Sequence, residues 1–237
     1  MPPIVDIRRA GDRGLTATEW LQSRHSFSFG DYYDPANTHH GLLLVNNDDI
    51  VKPASGFDTH PHRDMEIVTW VLDGELAHRD SMGNSGVIYP GLAQRMSAGS
   101  GVSHSEKNGS SATPVHFVQM WVLPDEANVT PGYQQREIEL TNSLTPIASG
   151  ATDAAVTLHN RNATLYGARL HSGDALELPH APYVHVFVTR GTVTLEDSGE
   201  LTTGDAARLT ASGGQRVSAS TDAEILVWEM HASLGGS

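Results

Sequence analysis

The sequence predicts an all-β chain folded as two barrel or sandwich domains of similar plan, with few short helices. Short β-branched and aromatic runs alternate with turn residues from end to end, and 23 of the 237 residues are glycine. One Asp-Gly pair sits between apolar runs in the manner of a hairpin. Two blocks of sequence also recur in the same order, which points to a duplicated unit.

Taken in chain order, Thr16-Ala-Thr-Glu19 ahead of Trp20-Leu21 has the form of a capping box and predicts one short helix. Residues 41–45 read as a strand. Residues 67–72 run into Asp73-Gly74 and leave through 75–78. A type I′ turn needs positive φ at both central positions, so this pair predicts a hairpin. Residues 115–123, 184–189, 192–195 and 225–230 supply further strands.

The stretch from Val68 to Gly74 resembles that from Val184 to Gly191, and Gly91 to Gly101 aligns with Gly204 to Gly214. From the first glycine of each copy to the second is 17 residues in one and 13 in the other, a difference in loop length. The polar run over 141–155 predicts the boundary. A front domain over 1–140 and a rear domain over 141–237 follow.

Composition narrows the function. Lys plus Arg is 15 against 28 for Asp plus Glu, a net charge of −13. Such a chain repels phosphate backbones, which argues against direct nucleic-acid binding. With no cysteine, disulfides, thiolate metal sites, cysteine-ligated iron–sulfur clusters and a cysteine nucleophile are excluded. Residues 1–9 lack the apolar core of a signal peptide, and no apolar run approaches the ~18 residues of a membrane helix. A soluble, cytoplasmic protein with no membrane association is the expectation. Thirteen histidines stand against two lysines, Lys52 and Lys107, and this imbalance directs attention to metals.

The front domain contains Gly56-Phe-Asp-Thr-His60-Pro-His62-Arg-Asp-Met-Glu66 and, later, Gly101-Val-Ser-His104-Ser-Glu106. Alternate side chains of a strand share a face, so His60 projects with His62 and His104 with Glu106. Two such pairs can close a site of three histidines and a carboxylate that accepts several divalent transition metals. The spacing His60-x-His62-x3-Glu66 also resembles the first cupin motif, which makes Glu66 a rival carboxylate. In the repeat alignment, His60 and His62 fall opposite Glu177 and Pro179, and His104 and Glu106 opposite Val217 and Ala219. The rear copy lacks the constellation. Adjacent residues His39 and His40 face opposite ways and form no pair. His78, His116, His171, His180 and His185 stand singly, with hydrogen-bonded or surface roles.

These residues resemble the pirin family of bicupins, in its bacterial branch of pirin-like quercetin 2,3-dioxygenases. The resemblance is carried by the run from Trp20 through His25 to Pro35, by Val45–Val51, by the His60 and His104 motifs, by Asp80-Ser-Met-Gly-Asn84 and by Pro131-Gly-Tyr-Gln-Gln-Arg136. It is dense to about residue 140. It implies two cupin barrels, a metal held by His60, His62, His104 and Glu106 in the front one, and a degenerate, metal-free rear one. It implies iron(II) first, with manganese, nickel, copper, cobalt or zinc as substitutes. Glu66 then falls to a supporting or structural role.

The implied reaction opens the central ring of a flavonol such as quercetin with dioxygen and releases carbon monoxide. Glu106 would accept the 3-hydroxyl proton as general base. Trp70, Phe117, Met120 and Trp121 are candidates for the walls of an apolar slot, against a plain core role for each. The same resemblance covers eukaryotic pirins, so the alternative is a non-catalytic regulatory protein whose metal changes redox state beside a protein partner. A monomer is the family expectation.

Overall fold

A computed structural model describes residues 4–235. Residues 1–3, part of the segment read for a signal sequence, lie outside the described residues. Strands dominate, and the helical content among the described residues is one 3-10 turn, Ala10–Asp12. No helix among them is long and apolar enough to cross a membrane.

The chain forms two cupin barrels, each from a seven-stranded and a four-stranded sheet. The front seven-stranded sheet runs Gly132–Glu137, Leu92–Ser97, Glu66–Asp73, Val115–Val122, Leu43–Val51, Leu21–His25 and Gly14–Ala17. Its four-stranded partner runs Gly56–His62, Val102–Asn108, Leu76–Asp80 and Ser85–Ile88. In the rear barrel the small sheet is Ala175–Glu177, Arg216–Ala219, Thr192–Leu195 and Gly199–Thr202. The middle of the rear large sheet is Ala206–Gly213, His180–Arg190, Ala223–Met230 and Ala163–Leu170. The order of corresponding strands is the same in both barrels, as the recurring blocks predict. The outer edge differs. Gly132–Glu137 supplies it in front, while Ile4–Arg8, from the start of the chain, pairs with Ala206–Gly213 at the rear.

The large sheets pack on each other. Val68, Trp70, Leu72, Val118 and Met120 of the front meet Leu165, Phe187, Leu226 and Trp228 of the rear in one buried core. A sheet covered on both faces reads as a continuous apolar run, and Glu66–Asp73 is buried at every position except its last. Trp70 Nε1 donates to Glu224 Oε1 at 3.0 Å, and Trp228 Nε1 points to Met120 Sδ at 3.3 Å, so both indoles span the seam. Trp70 and Met120 are therefore core residues of the seam. The small front sheet is covered on one side, and Val102–Asn108 accordingly alternates buried with half-buried residues.

Two expectations are corrected. Residues 16–19 form no helix: Gly14–Ala17 is a strand, and Thr18 Oγ1 accepts the amides of Trp20 and Leu21 at 3.3 and 3.1 Å, turning the chain into Leu21–His25. The hydroxyl that looks like a helix cap closes a turn between paired strands. Asp73-Gly74 makes no hairpin either. Gly74 alone of the two has positive φ, +80°, and the chain passes there from the large sheet to the small one. Gly191 does the same at the rear with φ +78°. A Cβ at Gly74 would lie 2.7 Å from the Pro114 carbonyl oxygen, and one at Gly191 2.1 Å from that of Asp222. Both corners exclude a side chain, which explains why glycine recurs there.

Candidate metal centre

Gly56–His62 and Val102–Asn108 pair antiparallel, with His104 directly opposite His60. The register slips by one residue between His104 and Glu106, a bulge that re-aims the side chains beside it. His60 Nδ1 lies 2.7 Å from the Asp58 carbonyl oxygen, so that nitrogen donates and Nε2 carries the lone pair. Nε2 of His60 faces Nε2 of His104 at 3.1 Å. His62 packs between them and Trp121, its ring 4.8 Å from that of His60 and 4.9 Å from those of His104 and Trp121. His62 Nε2 is buried with no hydrogen-bond partner. The ligating atoms of these three histidines all lie within 4.8 Å of one another.

Glu106 joins from the same strand as His104. Its Oε2 is 4.0 Å from His104 Nε2. Gln119, on the large sheet, donates through Nε2 to both carboxylate oxygens at 2.9 and 3.0 Å, and its own Oε1 accepts from Trp121 Nε1 at 3.0 Å. A second convergent group adds His78 to His104 and Glu106, all three buried.

The donor set fits a divalent cation. Burial, with His60 alongside, holds His62 down at about 4, and burial with its histidine neighbours holds His104 at about 2. Both rings are thus neutral and free to ligate at pH 7. Burial pushes Glu106 up to about 7, and the Gln119 amide offsets part of that. An orphaned buried ring nitrogen, two facing lone pairs and a buried carboxylate with no cationic partner each carry an energetic cost that a cation removes. The 3.1 Å between His60 Nε2 and His104 Nε2 would let both nitrogens reach one ion.

The cluster opens into a cavity of about 350 Å³. His60, His62 and Glu106 lie at one side, Phe29, Phe57 and Trp121 give aromatic walls, and Ser23, His25, Asn47 and Asp49 form a polar wall. His25 Nδ1 is 2.9 Å from Asn47 Oδ1, and its Nε2 is 2.8 Å from Thr16 Oγ1. Asp49 is buried, pushed up to about 7 by that burial, with Oδ1 unpartnered. Of the proposed slot residues, Trp121 lines the cavity, while Phe117 is interior core.

Glu66 lies elsewhere. Its Oε2 accepts from Ser97 Oγ at 2.9 Å and from the His159 amide at 3.0 Å, joining the front sheet to the rear segment. His39 and His40 bond separately, His40 Nε2 reaching the carbonyls of Val184 and Leu209 at 3.2 Å. His78 is more than a singly bonded residue, since its ring meets that of His104 at 5.2 Å. Sequence spacing missed it because its partner lies on a neighbouring strand. In the rear barrel, Val217 and Ala219 are buried among Val193, Leu195 and Leu201. Both convergent ligand groups found among the described residues belong to the front barrel.

Two cupin barrels in tandem, with a cluster of imidazoles and a carboxylate inside the first, define a bicupin with a candidate metal centre. The family profile described as Pirin matches residues 7–122, and that described as Quercetinase C-terminal cupin domain matches residues 147–230. The chain is 62% identical over 242 residues to a Mycobacterium tuberculosis H37Rv protein provisionally named as a quercetin 2,3-dioxygenase, covering 100% of this chain and 99% of the relative. It is 35% identical over 229 residues to the quercetin 2,3-dioxygenase of Escherichia coli K12, covering 96% and 99%. It superposes on the Escherichia coli bacterial pirin YhhW in complex with nickel(II) with TM-score 0.90, at 34% identity, covering 97% and 100%. The chain belongs to the pirin family.

Proposed function

We propose that this protein is a metal-dependent dioxygenase that opens the central ring of a flavonol such as quercetin with dioxygen and releases carbon monoxide. The observation that carries the reading is the cavity itself. It places aromatic walls, suited to a flat ring system, directly against the His60, His62 and Glu106 side chains. The names of the relatives and the nickel complex of the bacterial pirin support it.

In this reading His60, His62, His104 and Glu106 hold one divalent ion, iron(II) first, with nickel, manganese, cobalt, copper or zinc as substitutes. The ion supplies Lewis acidity that makes the flavonol 3-hydroxyl easier to ionise. Phe29, Phe57 and Trp121 orient the flat rings so that this hydroxyl faces the cluster. Glu106 accepts its proton on a carboxylate oxygen. Burial raises this carboxylate to about 7 in the metal-free protein, and a cation held beside it lowers it from there, so it is ionised and able to accept at neutral pH. Gln119 keeps the carboxylate aimed while it does so. His25, Asn47 and Asp49 present polar atoms to hydroxyls elsewhere on the substrate.

Purified, iron-loaded protein is expected to bleach quercetin in air and release carbon monoxide, one per flavonol consumed. Metal-loaded protein that leaves quercetin unchanged would overturn the reading. Glu106→Gln with metal retained is expected to lose most of the rate.

A further inference from the structure

We propose that His78 and Asp80 form a positioning relay behind His104, fixing its proton on Nδ1 so that Nε2 is presented to the metal. The inference rests on the reading of His60, His62, His104 and Glu106 as ligands.

Proton bookkeeping gives the direction. Asp80 Oδ2 lies 3.4 Å from His78 Nε2, and an ionised carboxylate only accepts, so His78 carries its hydrogen on Nε2. A neutral imidazole has one N–H, which leaves His78 Nδ1 as an acceptor. That atom is 3.4 Å from His104 Nδ1, which must therefore donate. His104 Nε2 is then a lone pair, and it faces His60. His60 is set the same way by the Asp58 carbonyl. With both rings neutral the two facing nitrogens are thus both acceptors, an arrangement that a cation resolves.

The relay is buried and rigid. The side chains of His78, Asp80 and His104 are 0%, 2% and 1% exposed. Tyr133 stacks on the His78 ring at 4.7 Å and 23°, which sets its plane. Asp80 is itself clamped by the amides of Met82 and Asn84, both at 2.9 Å, and by Asn84 Nδ2 at 2.9 Å. This gives a purpose to the run Asp80-Ser-Met-Gly-Asn84, which the ligand set leaves unused. Backbone pairing puts His104 opposite Asp80 and Glu106 opposite His78, so ligands and relay belong to one sheet. Groups of this kind behind a metal histidine typically change affinity 10–100-fold.

The test is nickel(II) titration of the full metal-free chain by calorimetry, alongside X-ray absorption of each nickel-loaded protein. His78→Gln puts an amide near the old Nε2 and leaves no acceptor at Nδ1. His78→Asn restores an oxygen there. The Gln variant is expected to bind nickel 10–100-fold more weakly with the number of coordinated imidazoles unchanged, and the Asn variant to stay within about threefold of the parent chain. Equal affinities for the two variants and the parent would overturn the relay. So would loss of one imidazole from the nickel sphere on replacing His78, which would make it a ligand. If the parent chain does not bind nickel, or His62→Ala binds it unchanged, the ligand reading itself falls. Should His78→Gln not fold, Asp80→Asn is measured in its place, with weakened nickel binding expected.

Discussion

Gln119 and Glu106 are joined through a single nitrogen that donates to both carboxylate oxygens, at 2.9 and 3.0 Å. The amide cannot flip, because Trp121 Nε1 donates to its oxygen at 3.0 Å. An aromatic wall of the cavity thus sets the orientation of the group that steadies the carboxylate. Hydrogen bonds to the charged form favour it, so removing them raises a carboxyl already at about 7. Gln119→Leu is expected to weaken nickel(II) binding about tenfold at pH 7, the scale of one hydrogen bond to a charge. The deficit shrinks toward pH 9, where the proton no longer competes. Trp121→Phe acts in the same direction and less. Calorimetric affinities at both pH values check this, and a deficit independent of pH would count against it.

The metal-free protein is expected to lose stability as pH falls below 6.5, because the buried histidines His40, His62, His104 and His185, all held below that value, together outweigh the opposite contributions of the raised acids Glu106 and Asp49. His62 and His104 are held at about 4 and about 2, against 6.5 for an unfolded histidine. In that window the unfolded chain binds more protons, so stability rises with pH through it. At pH 5 each ring costs the folded state up to about 2 kcal/mol relative to pH 7. Urea midpoints measured from pH 7 to pH 5 should fall, and His62→Gln should flatten the slope. Saturating metal, which holds the rings unprotonated, should delay the fall. Identical slopes for parent and variant would remove His62 from the account.

The pairs His60–His62 and His104–Glu106 were legible from spacing, because a strand's two-residue period decides which side chains share a face, while the choice of Glu106 over Glu66 came from the family resemblance. Their convergence depends on the register that sets His104 opposite His60, and no local pattern encodes that. The same limit hid His78 and Gln119, whose partners lie on neighbouring strands, and it hid Asp49 in an ordinary-looking Asn-Asn-Asp-Asp run. The duplicated plan was legible because each copy needs glycine where the chain crosses between sheets. The nature of the Gly74 corner was not, since Asp-Gly serves a hairpin and a sheet crossing equally well. The first-turn helix failed for a related reason: Thr18 bonds nearby amides in a strand turn as readily as at a helix start.

Asp49 offers a stability test with the opposite sign. It is buried on the polar wall, held at about 7 by that burial against an ordinary 3.8, with Oδ1 unpartnered. A raised acid leaves the folded state most favoured below 3.8, with a cost that grows up to pH 7 and stays constant above it. Asp49→Asn removes the charge and keeps the shape. It is expected to stabilise the metal-free protein by about 2 to 4 kcal/mol at pH 8, and by progressively less as pH approaches 4. Urea titrations at pH 8 and pH 5 check both arms. Equal gains at both would show that packing, and not ionisation, is responsible.

The seam between the barrels should make them unfold together. Trp228 of the rear is fully buried against the front and meets Met120, whose chain neighbours Gln119 and Trp121 line the cavity beside the candidate metal centre. Trp228→Ala empties a large volume in a core that both sheets share, and truncations of this kind cost about 3–5 kcal/mol. Because Trp70, Leu72 and Met120 lose their cover at the same time, the loss should lower one transition for the whole chain. Nickel(II) at 100 times its Kd stabilises the state that binds it by about 2.7 kcal/mol. It should therefore raise the midpoint of that single transition in the parent chain and in the variant alike. Far-ultraviolet dichroism and tryptophan fluorescence should report coincident melts. Two separated melts, with the second indifferent to nickel, would show that the shared core does not couple the barrels.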